Sequence, residues 1–353
     1  MGYTKTRRCN KKRNNRKRKT RLIRGGTIGD LLRSYGATED TRFQGIEVLP
    51  AWPAVADAAI GGRPDTVQSL AVVSPDRLAV GYYSANIVIR DTAGAAVQTL
   101  VGHTDIVNCL IKLPDGRLAS GCEDRTIRIW NIGTGECTNV LQVGAEVHSL
   151  AVLRDGSLAS SDEQGKLRIW DIRTGECTST RVHPEGPVYS LAALPDGGIA
   201  AGCDNGDIVL WGPGGQRGRT LTLPFRARNA VNFGAHAARA LTLLQSGRLA
   251  AGYGGDTRIR IWNVKSGVCE AVLTGHLGTV NALTTLPDGR LLSGSRDDGT
   301  IKLWDTVASP IRTVPVETPI PLTHPGINAL VAWRDGSGRV ASGGVDGTIH
   351  FWK

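Results

Sequence analysis

The segment IRIWN, residues 127–131, specifies the architecture, because close copies of it recur along the chain. It alternates apolar and polar side chains before its tryptophan, which is typical of a β-strand with one buried face. The copies are IVIRD (87–91), IRIWN (127–131), LRIWD (167–171), IVLWG (208–212), IRIWN (259–263), IKLWD (301–305) and IHFW (349–352). Only the first copy has arginine in place of tryptophan. Seven copies of one strand predict seven copies of one structural unit.

Each copy lies inside a longer unit with a constant order of features. In the second unit, the strand VNCLIKL (107–113) is followed by Pro114-Asp115-Gly116 and then by a second strand, RLASG (117–121). Proline presets φ and glycine supplies a positive φ, so this sequence predicts a tight turn. The seven copies lie 40 to 51 residues apart, close to the ~40–45 residues of one four-stranded unit.

This pattern resembles the WD-repeat family over residues 43–353. The resemblance implies an all-β fold, a seven-bladed β-propeller in which four-stranded sheets surround a channel. In the family, a His, a Ser or Thr, an Asp and the Trp of one blade form a hydrogen-bonded network. The matching residues are His103, Ser120, Asp124 and Trp130 in blade 2, His276, Ser293 or Ser295, Asp298 and Trp304 in blade 6, and His324, Ser342, Asp346 and Trp352 in blade 7.

The same residue types also occur in hydrolase active sites, but we interpret them as structural. A constellation repeated in several blades meets a repeated packing need, whereas an active site is normally single. Blades 3 and 4 depart from the network, because Gln164 and Asn205 stand where aspartate is expected. We therefore predict no catalytic residue and no enzyme activity.

The seven cysteines do not predict a metal site. The sequence has no CxxC pair and no His-Cys spacing typical of zinc, so we expect no metal and no cofactor. Cys137, Cys177 and Cys269 each lie seven residues after a blade tryptophan. This shared repeat position, on the predicted outer strands, favours small buried side chains.

The last repeat stops on its third strand, so blade 7 lacks an outer strand from the segment after its tryptophan. An open edge would promote aggregation. The segment FQGIEVL (43–49) precedes the first full repeat, and we predict that it supplies the missing strand. Deleting 43–49 should then sharply lower the melting temperature.

Basic charge is concentrated at the N-terminus. Residues 1–26 contain 12 Lys and Arg and no acidic residue, which leaves 30 basic against 32 acidic side chains in the rest. A tail with so few apolar residues is predicted to be disordered alone. Its composition resembles the basic tails of some large DNA virus proteins. Its core resembles a bipartite nuclear import signal, through Lys11, Lys12, Arg13, Arg16, Lys17, Arg18 and Lys19.

Three interpretations of this tail remain open. It is a solubilising tail, a nuclear-targeting or nucleic-acid-binding tail, or a membrane anchor. The third rests on Met1-Gly2 with Thr6, which fits a coarse N-myristoylation pattern, but the bulky Tyr3 speaks against it. We therefore expect no membrane attachment and an intracellular, soluble protein, with a nuclear location favoured and cytoplasmic or virion-associated locations as alternatives.

Two further segments lie outside the regular repeat. Residues 27–42 contain TIGDLLRSYG (27–36), which predicts a short capped helix before a linker. The interval between Trp211 and Trp262 is about ten residues longer than its neighbours, and insertions often carry function. We predict either a flexible loop or an anion-binding patch there, formed by Arg217, Arg219, Arg226 and Arg228.

These observations favour an interaction scaffold, a monomeric ring within a larger complex that presents loops to protein partners. A nucleic-acid- or ribonucleoprotein-associated protein is the first alternative, with affinity from the tail. A ubiquitin-binding propeller is the second, because the LPDGRLASG repeats are similar to those of phospholipase-A2-activating-protein-like propellers. The ubiquitin-handling domains that follow the ring in that family are absent from this sequence.

Overall fold

The repeats fold as seven antiparallel sheets, the blades. The computed structural model describes residues 65–183, 186–223, 236–307, 315–320 and 326–352. The first three blades contain β1 (Val67–Ser74), β2 (Arg77–Tyr82), β3 (Ile87–Asp91) and β4 (Ala96–Leu100); β5 (Val107–Lys112), β6 (Leu118–Cys122), β7 (Thr126–Trp130) and β8 (Cys137–Gln142); and β9 (Val147–Val152), β10 (Leu158–Asp162), β11 (Lys166–Trp170) and β12 (Cys177–Val182).

The remaining blades repeat this order, and the predicted all-β, seven-bladed propeller is confirmed. Blade 7 has three strands among the described residues. The strands are β13 (Val188–Ala193), β14 (Ile199–Cys203), β15 (Ile208–Trp211) and β16 (Arg217–Leu221); β17 (Ala238–Leu243), β18 (Arg248–Tyr253), β19 (Ile259–Asn263) and β20 (Cys269–Leu273); β21 (Val280–Thr285), β22 (Leu291–Ser295), β23 (Ile301–Trp304) and β24 (Pro315–Ile320); and β25 (Ile327–Ala332), β26 (Val340–Gly344) and β27 (Ile349–Trp352).

The turns between strands follow from the sequence. Gly116 has a φ of 90°, which glycine adopts without a steric penalty, and its N–H donates to the carbonyl of Leu113 (3.0 Å). The Asp115 carboxylate accepts from the backbone N–H of Arg117 (3.1 Å). The Leu-Pro-Asp-Gly sequence thus closes the hairpin between the first and second strands.

The first strand of each blade is the inner one, and these strands contact one another around the ring, including β25 with β1. A hydrophobic cluster joins blades 7 and 1 through Val67, Trp333 and Phe351. Two side chains also cross this seam: Asn328 donates to the carbonyl of Val67 (3.0 Å), and the Thr66 hydroxyl donates to that of Val345 (2.9 Å). Blades 7 and 1 therefore close the ring through contacts between their own strands.

Close packing between blades depends on a glycine near the end of the second strand. A Cβ on Gly343 would collide with the Val67 side chain of the next blade, and a Cβ on Gly121 would collide with Val147. Glycine at this position therefore lets the inner strand of the next blade approach closely; blade 3 is the exception, because it has Ser161 there.

The outer strands come from the segment after each blade tryptophan, as the sequence predicts. Cys137, Cys177 and Cys269 begin β8, β12 and β20. Cys177 is exposed and Cys137 and Cys269 are half-buried, so the expectation of buried side chains is wrong. All three cysteines begin outer strands, which lie at the edges of their blades.

Several predicted features lie outside the described residues: the tail 1–26, the helix and linker 27–42, and the closing strand 43–49. The described strands account for the ring without an α-helix. Within those residues no helix is long and apolar enough to span a membrane.

Candidate functional site

The structure brings together the four network residues of blade 2. His103 Nδ1 lies 2.7 Å from Asp124 Oδ2, and His103 Nε2 lies 2.7 Å from Ser120 Oγ. The indole N–H of Trp130 donates to the same Ser120 Oγ (2.8 Å). Burial alone would raise the pKa of Asp124, but hydrogen bonds from His103 and Thr126 outweigh it and hold the pKa below its usual value.

Blade 6 repeats this arrangement. His276 Nε2 lies 2.6 Å from Ser293 Oγ, which accepts from the Trp304 indole at 2.7 Å. His276 Nδ1 lies 3.1 Å from Asp298 Oδ2, so Ser293 rather than Ser295 is the network serine. In blade 7, Ser342 is fully buried and Asp346 accepts from the Thr348 hydroxyl (2.7 Å), whereas His324 lies outside the described residues.

The geometry of these networks fits a structural role. Ser120 and Ser293 are fully buried, and each hydroxyl oxygen is already engaged by a tryptophan and a histidine. A nucleophile must be accessible to its substrate, and these hydroxyls are not. The networks instead fix the turns of each blade by satisfying buried polar groups.

Blade 2 also contains the one group of three potential metal ligands found among the described residues: His103, Cys122 and Asp124, whose ligand atoms lie within 4.8 Å of one another. Both ring nitrogens of His103 are at hydrogen-bonding distance from oxygens. Two ligands on one tetrahedral zinc ion would be about 3.3 Å apart, wider than the observed 2.7 Å. Burial also raises the pKa of the Cys122 thiol, which disfavours a thiolate. The group therefore fits a hydrogen-bond network better than a metal.

In other blades, different side chains take the place of network residues, and these partners were not predicted from the sequence. In blade 5 the Trp262 indole donates to the Tyr253 hydroxyl (3.2 Å). In blade 1 the substituted Arg90 donates to the Tyr82 hydroxyl (3.2 Å). Blade 3 pairs the buried Asp162 with Arg168. Both tyrosines end the second strand in a Gly-Tyr pair, and this signal is visible in the sequence.

The predicted arginine patch is divided. Arg217 and Arg219 lie on β16, an ordinary outer strand, and Arg219 donates to the carbonyl of Ser266 in blade 5 (2.5 Å). The extra length of this interval therefore falls after β16. Arg226 and Arg228 lie outside the described residues, so an anion patch formed by all four stays a prediction.

A second set of repeated positions lies at the end of the ring where the inner strands begin, which we call the mouth. Every inner strand has a β-bulge at its second residue, where two of its residues oppose one on the neighbouring strand. Bulges often re-aim a side chain next to a functional site. The bulge residues are Gln68, Asn108, His148, Tyr189, Arg239, Asn281 and Asn328.

Three consecutive bulge residues stack across blades 3, 4 and 5. The rings of His148 and Tyr189 have centroids 4.8 Å apart, and the guanidinium carbon of Arg239 lies 5.2 Å from the Tyr189 centroid. Burial lowers the pKa of His148, and the carboxylates of Glu163 and Asp162 oppose this shift. In blades 2 and 7, by contrast, the bulge asparagines donate to the next blade, Asn108 to the Val147 carbonyl (3.2 Å) and Asn328 to the Val67 carbonyl (3.0 Å).

A rim of equivalent residues follows the second strand of each blade. The backbone N–H of each rim residue donates to the carbonyl of the residue that immediately precedes the inner strand of the same blade, at 2.8–3.1 Å. Blades 2, 3 and 4 have Glu123, Glu163 and Asp204 here. The other rim residues are Tyr83, Gly254, Arg296 and Val345. The acidic rim therefore occupies three consecutive blades.

The acidic groups at the mouth influence one another. Burial raises the pKa of Glu123; a hydrogen bond from Asn108 opposes the rise, and the carboxylates of Glu146, Asp105 and Glu163 add to it. Burial likewise raises the pKa of Tyr189, with a further contribution from Asp204. The mouth thus combines a stacked aromatic and cationic group with crowded negative charge.

The comparisons with known proteins agree with this architecture. The model of the WD40 family, the "WD domain, G-beta repeat", matches residues 94–131, 175–212, 267–305 and 318–353. Among solved structures, the chain is similar to the WD40 β-propeller domain of Doa1, with a TM-score of 0.72 and 15% sequence identity over 88% of this chain and 98% of that one. At this identity the likeness shows the fold.

A short segment is similar to curated proteins. It is 46% identical over 50 residues to the ribosome biogenesis protein BOP1 of Rattus norvegicus and 44% identical over 50 residues to that of Mus musculus. These matches cover 13% of this chain and 7% of each relative. The Drosophila virilis homolog is 43% identical over 49 residues, or 6% of its length.

Proposed function

Because the chain is a WD-repeat β-propeller, we propose that it is a scaffold that binds protein partners through the mouth of its ring. WD40 propellers are in general non-catalytic scaffolds that bind proteins. The observation that supports the mouth is the contrast between its repeated positions. The strand order and the contacts between inner strands repeat from blade to blade, whereas the bulge and rim positions change in size, charge and aromatic character.

Affinity purification with the full chain as bait tests this proposal. We expect protein partners that remain bound after nuclease treatment and that are lost when Glu163→Gln and Arg239→Gln are combined. The matched control is Glu176→Gln, which removes an exposed carboxylate from the turn before β12, at the opposite end of the ring. If no protein remains after nuclease treatment, the proposal is wrong.

A ribonucleoprotein-associated function is the second candidate. It is supported by the basic residues between 1 and 26 and by the short match to proteins named for ribosome biogenesis. If roughly half of the 12 basic charges meet phosphates, log affinity falls with log salt at a slope of about −5. Binding of an RNA oligonucleotide by the full chain and by residues 27–353, measured across salt concentrations, tests this. Equal binding by both proteins would argue against it.

The same basic residues support nuclear targeting. We expect a fluorescent fusion of the full chain to enter the nucleus, and we expect entry to decrease when Lys11, Lys12, Arg13 and Lys17 are replaced by alanine. A fusion with Arg217 replaced by alanine is the control, because it loses a basic residue of the ring. Unchanged nuclear entry of the tail variant would exclude this role.

A further inference from the structure

Arg239 packs against an aromatic ring, and none of the described residues accepts a hydrogen bond from its guanidinium. Its guanidinium carbon lies 5.2 Å from the Tyr189 ring centroid, and the described residues provide it with no ion pair and no hydrogen-bond acceptor. A guanidinium fixed against an aromatic ring keeps its planar set of N–H donors available for a carboxylate or phosphate. The Tyr189 ring itself lies beside His148, so the stack spans three blades.

The contrast with Arg260 of the same blade shows what Arg239 lacks. Arg260 also lies over a tyrosine, with its guanidinium carbon 5.1 Å from the Tyr253 centroid. Its donors, however, reach the Asp256 carboxylate at 2.7 Å. Arg260 is therefore an internally paired cation, whereas Arg239 has the aromatic contact without the anion.

The surroundings of Arg239 restrict the kind of anion that fits. The acidic rim of blades 2 to 4 begins in the neighbouring blade with Asp204, and it continues through Glu163 and Glu123. A phosphate carries close to two negative charges and meets more repulsion from this rim than a single carboxylate does. A nucleic-acid backbone, with a charge at each phosphate, meets still more.

Resting on the proposed function, we infer that the mouth binds a protein segment of mixed charge. One side-chain carboxylate of the segment pairs with Arg239, and basic side chains that flank it lie over Glu123, Glu163 and Asp204. The carboxylate supplies the acceptor that Arg239 lacks. The basic groups offset the mutual repulsion of the rim carboxylates of blades 2 to 4. Arg239 is then the residue that distinguishes this segment from a purely basic one.

Fluorescence anisotropy with the full chain and synthetic peptides tests the inference. The probes have blocked ends and contain a Lys-Arg-Lys triplet joined to one glutamate by glycine spacers of varied length. We expect replacement of the probe glutamate by glutamine to weaken binding to the unchanged protein about tenfold, which corresponds to about 1.4 kcal/mol. The same replacement should not change binding to the Arg239→Gln variant.

Further variants test the acidic rim and Arg239 separately, and a folding measurement controls for misfolded protein. Glu163→Gln should weaken both probes and reduce the dependence of binding on salt, whereas the control Glu176→Gln should change neither. Arg239→Lys keeps the charge but loses the planar fork, and we expect it to discriminate between the two probes less than arginine does. Circular dichroism melting of each variant establishes that the ring is folded.

Three outcomes of the peptide measurements would overturn the inference. The first is equal loss of affinity in the unchanged protein and in Arg239→Gln when the probe glutamate is removed. The second is tighter binding of a probe in which phosphoserine replaces the glutamate, and the third is absence of binding by every probe. A natural partner that survives nuclease treatment but ignores Arg239→Gln would also contradict the inference while leaving the scaffold function in place. Loss of all protein partners would instead reject the function itself.

Discussion

Blades 2 and 4 have the same four-stranded order but satisfy their buried polar groups differently. In blade 2, Ser120 accepts from the Trp130 indole at 2.8 Å. Blade 4 has Ala201 at this position, and the indole N–H of Trp211 finds no acceptor among the described residues. Both blades still form, so the strand and turn pattern is sufficient to specify a blade. We expect the network to add stability where it is complete.

The largest effect is expected from breaking the network of blade 2. Ser120→Ala removes the acceptor of the Trp130 indole and the partner of His103 Nε2, and it leaves both groups buried. We expect the free energy of unfolding to fall by about 2–4 kcal/mol, as measured by denaturant titration. Ser179→Ala, on the outer strand β12, is the matched control and should change stability by less than about 0.5 kcal/mol. Equal effects would mean that the network does not contribute.

The second test uses the acid sensitivity that blade 2 derives from Asp124. Hydrogen bonds hold the pKa of Asp124 below its usual value, so the unfolded chain binds a proton more readily than the folded one. The resulting stability is present above the unfolded pKa of about 3.9 and is lost as pH falls below it. Asp124→Asn should lower stability near neutral pH by about 2 kcal/mol.

The acid profile distinguishes this effect from a general loss of packing. Unfolding free energies should be measured between about pH 5 and pH 2. The unchanged protein should lose stability more steeply with acid than Asp124→Asn does, and the two curves should converge. Parallel curves would show that the Asp124 carboxylate is not the group that titrates.

The sequence predicts the features that follow the repeat, but it does not predict the features that arise only when strands pair. The tryptophan spacing predicts the number of blades and the origin of the outer strands, because both follow the repeat. The bulges arise where two residues of an inner strand oppose one residue of its neighbour, so the sequence of one strand does not show them. It shows only a polar residue, such as His148, Tyr189 or Arg239, between two small or apolar ones, which is also the ordinary alternation of a strand.

The network substitutions have a similar explanation. The sequence identifies Arg90 as a departure from tryptophan, but its acceptor, Tyr82, lies on the preceding strand and comes within reach only when the strands pair. The same holds for Asp162, whose partner Arg168 lies on the next strand. The stack of His148, Tyr189 and Arg239 could not be predicted, since it joins three blades whose bulge residues lie 41 and 50 residues apart in the sequence.

The third test attempts to convert blade 4 toward blade 2. Ala201→Ser would place a hydroxyl near the Trp211 indole, as Ser160 does for Trp170 at 2.9 Å in blade 3. Because a buried unpaired donor would gain an acceptor, we expect stabilisation by about 1 kcal/mol, measured as a shift in the denaturant midpoint with an unchanged slope. Ala200→Ser, the neighbouring buried position, is the control and should destabilise the protein, because its hydroxyl would lie within an apolar cluster.

The smallest effect concerns the rim, where blades 2 and 4 again differ. The pKa of Glu123 is raised by burial and by the nearby carboxylates of Glu146, Asp105 and Glu163. A folded-state pKa above the unfolded one gives stability that is lost as pH rises through it, so ionised Glu123 opposes folding at neutral pH. Glu123→Gln should therefore stabilise the ring by a few tenths of a kcal/mol at pH 7, about the size of a surface charge effect. Asp204→Asn should bring no such gain, because the Asp204 carboxylate accepts a hydrogen bond from the Tyr189 hydroxyl. A gain of equal size from both substitutions would show that the rim responds to total charge rather than to the crowding around Glu123.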